Sequence, residues 1–247
     1  MPVDAVVAVT YRCNSRCIMC NIWQIKDFPE MAPEAYLRLP KSLKDVNISG
    51  GEPFLRKDLS EIVHYAKQAC PKANITISTN GFLNDTIKKE VPKILNKCPD
   101  VGISVSIDGI GDMHEKVRQI PNAWPKVLET IRYCRDVAKI KDLKLAFTLN
   151  DVNYKQLKLA YEWSKKLKVG FTMAVAHSSD IYFGKKQANL NFKHEYVHKQ
   201  FKHIIDELTA SFNPKDWARA YFIDGLYKIS QGKARPLESY AGQDFFY

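Results

Sequence analysis

The segment CNSRCIMC, residues 13–20, places Cys13, Cys17 and Cys20 close together in the spacing C-x3-C-x2-C. It follows a short run rich in β-branched residues, AVVAVT at residues 5–10, which is typical of a buried strand. Three kinds of site use cysteines this close in sequence: a disulfide framework, a zinc site and an iron–sulfur cluster. The rest of the chain helps to choose among them.

The composition indicates a globular protein of the cytoplasm. The 247 residues are 45% hydrophobic and 26% charged, and one large α/β domain can reach this length. The N-terminal residues MPVDAVVAVT lack the basic start and long apolar run of a signal peptide, and no apolar stretch approaches the roughly 18 residues of a membrane span. In a cytoplasmic chain the six cysteines stay reduced unless a site uses them, so a disulfide framework is not expected.

The formal net charge of +10 raises the question of a polyanionic partner. The lysines, however, are spread over residues 139–168 and 185–202 at the spacing of helix surfaces, and no arginine-rich block occurs. We therefore expect a solvated basic surface, with a face that attracts an anionic substrate as the alternative, and neither a nucleic-acid nor a membrane partner.

Strand-like and helix-like segments alternate along the chain. The sequence predicts strands at residues 5–10, 45–49, 74–78, 102–107, 143–149 and 170–176. It predicts helices at residues 32–43, 58–70, 86–98, 123–137, 154–167 and 194–212. Such alternation indicates βαβ units around a parallel sheet, either doubly wound or an incomplete barrel. The character of the sequence changes near Pro214, which divides a core at residues 1–213 from a C-terminal helix and tail at 214–247.

The remaining cysteines bear on the choice between zinc and iron. A structural zinc site normally has four ligands, and no second pair of closely spaced cysteines occurs. Cys70, Cys98 and Cys134 each stand alone among apolar neighbours and are expected to be structural. Three thiolates on a [4Fe–4S] cluster would leave one iron without a protein ligand, open to a substrate or cofactor.

Unusual residues follow each of the first four predicted strands. After CNSRCIMC come GGEP at residues 50–53, STNG at 78–81 and SIDG at 106–109. The carboxyl ends of parallel strands build the active sites of α/β barrels. Taken together, and in this order over residues 5–176, these motifs resemble the radical S-adenosylmethionine (radical SAM) enzymes.

This resemblance implies an α/β fold, a partial (β/α)6 TIM-like barrel. It implies a [4Fe–4S] cluster held by Cys13, Cys17 and Cys20, with S-adenosylmethionine on the open iron. The implied reaction is reductive cleavage to a 5′-deoxyadenosyl radical, which takes hydrogen from a peptide or small metabolite. An electron donor such as flavodoxin or ferredoxin is implied as a partner.

The resemblance also assigns contacts to S-adenosylmethionine near the first two motifs. Met19 stands where the family usually has an aromatic residue beside the adenine, and a thioether offers a similar apolar contact. Gly50, Gly51 and Glu52 would present backbone carbonyls and a carboxylate to the cofactor's ammonium group, with the glycines allowing close approach.

Further contacts are assigned at later strand ends. Ser78 and Ser106 would bond the methionine or ribose portions. Arg118 would pair with the methionine carboxylate, unless it is a surface arginine of a helix. Asn150 would reach the ribose or adenine, unless it is an ordinary turn asparagine.

A rival motif lies near residue 194, where HEYVH (His194 to His198) matches H-E-x-x-H of zinc metallopeptidases. No third ligand is evident from the sequence, so we expect a helix start facing solvent, with a peptidase or a non-catalytic metal-binding module as alternatives.

The C-terminal stretch RPLESYAGQDFFY, residues 235–247, resembles the beginning of a SPASM or twitch-type extension, which holds auxiliary clusters. Ser239 and Tyr240 stand before Ala241, where relatives commonly have a cysteine, so no auxiliary ligand is predicted. We expect the apolar end of the tail to pack against the barrel or to be disordered.

Overall fold

Six parallel strands form one curved sheet in the computed structural model, which describes residues 1–26, 28–176 and 194–233 and the backbone of Phe245–Phe246. Along the sheet they follow the order β6-β5-β4-β3-β2-β1, and a short strand β7 (Phe245–Phe246) pairs parallel to β1. The bounds are β1 Asp4–Thr10, β2 Asp45–Gly50, β3 Asn74–Thr79, β4 Gly102–Ser106, β5 Leu143–Leu149 and β6 Gly170–Val175. This arrangement confirms the α/β partial barrel.

In the described residues, seven α-helices connect or follow the strands. They are α1 Leu59–Ala69, α2 Asn84–Lys97, α3 Asp112–Arg118, α4 Ala123–Arg132, α5 Leu157–Leu167, α6 His194–Thr209 and α7 Pro214–Ser230. The predicted helix at 32–43 was wrong, because this stretch forms only a 3-10 helix, Pro33–Arg38. Pro40 disfavours helical geometry at the residue before it, so the segment ends early. The helix α3 was not among the predicted helices.

The strands bury one face against the helices. In β5, Leu143, Leu145, Phe147 and Leu149 are buried, and the residues between them are half-buried on the opposite face. Each buried side chain of this size contributes about 1.5–3 kcal/mol to folding. Cys70, Cys98 and Cys134 are fully buried in the same apolar core.

The helix α7 packs onto the end of the barrel. Ile223 of α7 lies in one apolar cluster with Val197, Phe201 and Ile204 of α6 and with Met173 of β6. The described part of the segment after residue 213 therefore shares a core with the barrel.

The concave face of the sheet is polar. Its half-buried positions in β2 and β3 include Asn47 and Ser78, and Ser78 Oγ donates to Asn47 Oδ1 at 2.8 Å. Across the sheet, Ser78 pairs in register with Ser104, and Ser104 with Lys144. This face also includes Ser49, Thr76, Ser106, Ala146, Thr148, Thr172 and Ala174. In β1 it includes the apolar residues Val6 and Ala8, which pair in register with Asn47 and Ser49.

Some expectations from the sequence fall on residues that the structure does not describe. The lysines at 185–193 lie outside the described residues, as does the tail at 235–247 except for the backbone of Phe245–Phe246. None of the described helices combines the length and apolar character that a membrane crossing requires.

Candidate functional site

The cysteine loop, residues 13–20, is docked on the end of α3. Its backbone N–H groups donate from Arg16 to Arg118 O at 3.4 Å and from Ile18 to Val117 O at 3.0 Å. The last carbonyls of a helix have no partner within the helix, so an adjacent loop can satisfy them. This contact places the cysteines beside Arg118.

The three thiols are shielded from water. Cys17 is 8% exposed, and Cys13 and Cys20 are half-buried. Burial raises the pKa of Cys13 to about 12 and also raises the pKa of Cys20. The Cys13 and Cys20 thiols therefore stay protonated until a metal cation displaces their protons, as metal binding generally does. A donor set made only of sulfur is of the kind that holds iron–sulfur clusters.

Arg118 is buried and charged. Its Nη2 lies 2.5 Å from Asp108 Oδ2, and its Nη1 donates to Cys17 Sγ at 3.6 Å. Burial acts to lower the pKa of Arg118, but the Asp108 carboxylate and Cys17 more than compensate, and the pKa is raised. The reading of Arg118 as a surface arginine is thus wrong. Its Nε is buried and has no hydrogen-bond partner among the described residues, so one donor remains for a ligand.

Asp108, from the SIDG motif, fixes this arginine. It is fully buried, and its Oδ1 accepts from Thr148 N at 2.8 Å. Its backbone carbonyl accepts from Asn153 Nδ2 at 3.1 Å, which ties the end of β4 to the loop after β5. Burial raises the pKa of Asp108, and Arg118 and the Thr148 N–H oppose this shift.

Glu52 is fully buried and bonds to its own chain. Its carboxylate accepts from Phe54 N at 3.1 Å, from Thr79 Oγ1 at 2.8 Å and from Asn80 N at 2.7 Å. Burial raises the pKa of Glu52 to about 7, although these three bonds and Arg118 favour the ionised form. The carboxylate thus holds the GGEP and STNG loops together.

The glycines of GGEP allow the backbone to approach the chain that enters the cysteine loop. A Cβ at Gly51 would lie 2.1 Å from Arg12 O, and one at Gly50, where φ is 116°, would lie 2.3 Å from Thr10 O. The Gly51 N–H donates to Thr10 O at 2.7 Å. The close approach that requires glycine is therefore made to the protein's own backbone.

The other assigned cofactor contacts are distributed around this centre. Met19 is 6% exposed and packs with Cys17 and Val117. Ser78 and Ser106 lie half-buried at the ends of adjacent strands, β3 and β4, on the concave face. The structure favours the turn interpretation of Asn150, because its Oδ1 accepts from the backbone N–H of Val152 at 2.9 Å and of Asn153 at 3.1 Å.

Sequence reasoning did not assign roles to several residues of this centre. Asn80 bonds Asn14 Oδ1 at 2.7 Å and lies 3.9 Å from Cys13 Sγ. His114 is fully buried, and its Nδ1 accepts from Asp108 N at 3.1 Å, so its proton is on Nε2. Burial and the charge of Arg118 lower the pKa of His114 to about 3. Asn80 belongs to the STNG motif and Asp108 to the SIDG motif. Their positions in these motifs are the sequence features that could have indicated a role.

The HEYVH motif does not form a metal site in the described residues. His194, Glu195 and His198 are exposed, Glu195 pairs with Lys199 at 2.7 Å, and His198 Nδ1 lies 3.1 Å from Tyr227 Oη. The described side chains that gather like metal ligands are Glu162, His203 and Glu207, and the ammonium group of Lys165 lies 2.8 Å from Glu207 Oε1.

Comparisons with known proteins agree on one superfamily. A sequence model of the Radical SAM superfamily matches residues 7–163. Fe-coproporphyrin III synthase of Methanosarcina barkeri is 34% identical over 173 residues, 65% of this chain and 40% of the relative. GTP 3′,8-cyclase of Campylobacter jejuni is 30% identical over 181 residues, 67% of this chain and 53% of the relative. The chain therefore spans about half the length of the curated relatives it matches.

A structural neighbour has the same fold. Streptococcus suis SuiB, bound to S-adenosylmethionine, aligns with a TM-score of 0.68 and 18% identity, over 85% of this chain and 48% of SuiB.

Proposed function

Because this chain belongs to the radical SAM superfamily, whose enzymes use a [4Fe–4S] cluster and S-adenosylmethionine, we propose that it cleaves S-adenosylmethionine reductively to act on a hydrophilic substrate. The chemistry supplied by the bound cofactors is cleavage of the sulfonium to a 5′-deoxyadenosyl radical, which takes a hydrogen atom from the substrate. The role of the chain is to hold the reactants, to exclude water and to fix charge.

The observation that carries the proposal is the convergence of four strand ends on the cysteines. Arg118 contacts Cys17, Asp108 fixes Arg118, and Asn80 contacts the cysteine loop while its N–H bonds Glu52. We assign Cys13, Cys17 and Cys20 as the iron ligands on this basis. Their sulfur-only chemistry and their shielding suit a cluster that oxygen and water would damage.

Arg118 and Glu52 are the charged residues assigned to the cofactor. The unpartnered Nε of Arg118 supports a bond to the methionine carboxylate, a charge-assisted contact worth about 1.5–3 kcal/mol. Glu52 would ionise to pair with the ammonium group. In the same proposal Gly50, Gly51, Ser78 and Ser106 contact the methionine and ribose portions, Met19 lies near the adenine, and Asn150 acts through the turn after β5.

The concave face supports a hydrophilic substrate. Its positions on β2 to β6 are mainly hydroxyl or amide side chains with alanine between them, and Lys144 is its one cation among the described strands. Groups that form hydrogen bonds compensate the desolvation of a polar substrate, whereas an apolar substrate would leave them unsatisfied. A peptide segment or a polar small metabolite fits this chemistry better than a large apolar ring. A soluble one-electron donor such as flavodoxin or ferredoxin completes the proposal.

Anaerobic reconstitution tests the iron ligands. Wild-type protein is expected to bind about four iron and four sulfide per chain and, with dithionite, to form 5′-deoxyadenosine from S-adenosylmethionine. Replacing Cys13, Cys17 or Cys20 by alanine is expected to abolish both. Cys70→Ala, Cys98→Ala and Cys134→Ala are matched controls that should keep the iron.

Two results would contradict the proposal. Zinc without sulfide in the purified protein would favour a metal-binding module. Loss of iron from a folded Cys98→Ala variant would show that the ligand assignment is wrong.

A further inference from the structure

Ser15 lies inside the cysteine loop with its hydroxyl between two different partners. The side chain is 1% exposed. Its Oγ lies 3.1 Å from Cys17 Sγ and donates to the backbone carbonyl of Arg118 at 2.9 Å. A buried hydroxyl in contact with an assigned iron ligand has no role in the proposal above.

The number of protons determines how these bonds are arranged. A hydroxyl has one hydrogen to donate. While Cys17 is a thiol, its S–H donates to Ser15 Oγ and the serine O–H donates to Arg118 O. When Cys17 binds iron it has no proton, so its sulfur can only accept. The carbonyl of Arg118 keeps the Arg16 N–H at 3.4 Å as a second donor, which leaves the serine hydroxyl free to turn.

We propose that Ser15 is a positioning residue. In the protein that holds the cluster, its hydroxyl donates a hydrogen bond to the Cys17 sulfur and so raises the reduction potential of the cluster. This inference rests on the proposed function, since it assumes that Cys17 is an iron ligand. Hydrogen bonds to cluster sulfurs are one of the factors that set the potential, because they stabilise the more negative, reduced state.

The contacts single out Cys17. Arg118 Nη1 approaches this sulfur at 3.6 Å, so the Ser15 hydroxyl and a cation act on one ligand. Cys13 Sγ accepts from neutral N–H groups, from Ser15 N at 3.4 Å and from Asn80 Nδ2 at 3.9 Å, and no hydroxyl contact to it is found among the described residues. Of these donors, the Ser15 hydroxyl can be removed without changing the charge of the site.

The test is a redox titration of the reconstituted protein without substrate, followed by electron paramagnetic resonance of the reduced cluster. Ser15→Ala is expected to lower the reduced-to-oxidised ratio at a fixed potential about tenfold, which is about 59 mV for one electron. Ser164→Ala is the matched control, because this buried serine also donates to a carbonyl, that of Tyr161 at 2.6 Å, and it lies on α5 away from the cysteines. The control should keep the wild-type potential.

A second pair of variants separates the hydroxyl from packing. Ser15→Thr and Ser15→Val introduce side chains of equal shape that differ in the hydroxyl. The threonine variant is expected to keep the higher potential and, in D2O, an exchangeable deuteron coupled to the cluster, and the valine variant to lose both.

Equal potentials for iron-loaded threonine and valine variants, or for Ser15→Ala and wild type, would overturn the inference. Wild-type protein that binds no iron would instead refute the proposed function, so the two failures are distinguishable.

Discussion

Glu52 provides a test of how strongly the site acts on a buried carboxyl group. Its pKa is about 7 in the folded protein against an ordinary value of 4.5, a difference of about 2.5 units. At about 1.36 kcal/mol per unit, this amounts to about 3 kcal/mol. Between pH 4.5 and 7 the folded protein binds one more proton at this position than the unfolded chain. Stability must therefore fall as the pH rises through this window and then level off.

The perturbation is Glu52→Gln, which is neutral at every pH. The amide turns one N–H group toward a donor, Asn80 N or Phe54 N, so a constant destabilisation of about 1–3 kcal/mol is expected. The informative quantity is the change with pH. Relative to the variant, the wild type is expected to lose about 2.5 kcal/mol of unfolding free energy between pH 5 and pH 8.

Urea denaturation of the metal-free protein under reducing conditions at four pH values measures this difference. Other titrating groups cancel because both proteins contain them. Glu61→Gln is the control, because Glu61 is partly exposed and its pKa is lowered, so no loss of stability with rising pH is expected from it. Parallel curves for the wild type and Glu52→Gln would refute the reasoning, since they would mean that the three donors keep Glu52 ionised throughout.

Three further outcomes are expected from the same centre. Asp108→Asn leaves the buried charge of Arg118 without its partner and should lower the unfolding free energy by about 3–5 kcal/mol. The control Asp206→Asn, in an exposed pair, should lower it by less than about 1 kcal/mol. A similarly small loss for Asp108→Asn would show that the pair is not buried in solution. The pKa of His114 is lowered from 6.5 to about 3, so its contribution to stability should be complete above pH 6.5 and fall by about 2 kcal/mol by pH 5. In urea denaturation, the unfolding free energy of His114→Gln should lack this decrease between pH 6.5 and pH 5. Below pH 7, binding of S-adenosylmethionine to the protein that holds the cluster should release the Glu52 proton. The heat of binding should then depend on the ionisation enthalpy of the buffer more strongly in the wild type than in Glu52→Gln. The same buffer dependence in both proteins would contradict a contact between Glu52 and the ammonium group.

The strands and the cysteine site follow from local patterns in the sequence. Short apolar runs, continuous in β1 and alternating in β5, mark the strands. Parallel strands bring their carboxyl ends to one edge, so CNSRCIMC and the later motifs were expected to meet. The helix predicted at 32–43 failed because its apolar spacing was outweighed by Pro40. The short α3 has only seven residues, too few to show a helical period clearly.

The pairings within the site were beyond such patterns. Whether Arg118 contacts solvent, a cofactor or Asp108 depends on how α3 packs against β4. The periodicity of apolar residues within either element does not predict this packing. The sequence around Asn150 is compatible both with a contact to a ligand and with a turn. Its hydrogen bonds with Val152 and Asn153 depend on the path of the loop after β5. Glu52 likewise gained three donors from residues 54, 79 and 80, two of them on a different strand end.

The charge arrangement explains why the site holds a buried arginine. Removing a guanidinium from water costs several kcal/mol, and a single carboxylate offsets this only when geometry and hydrogen bonds are good. Among the described residues, Asp108 is the close anionic partner of Arg118, and Arg118 Nε has no hydrogen-bond partner. In the proposed function, thiolate ligation would add negative charge at Cys17, 3.6 Å from Nη1, and a bound carboxylate would supply an acceptor for Nε. On this proposal, the cost of burying Arg118 is met during folding. Its positive charge would then already be oriented when anionic ligands bind, without the reorganisation that water would require.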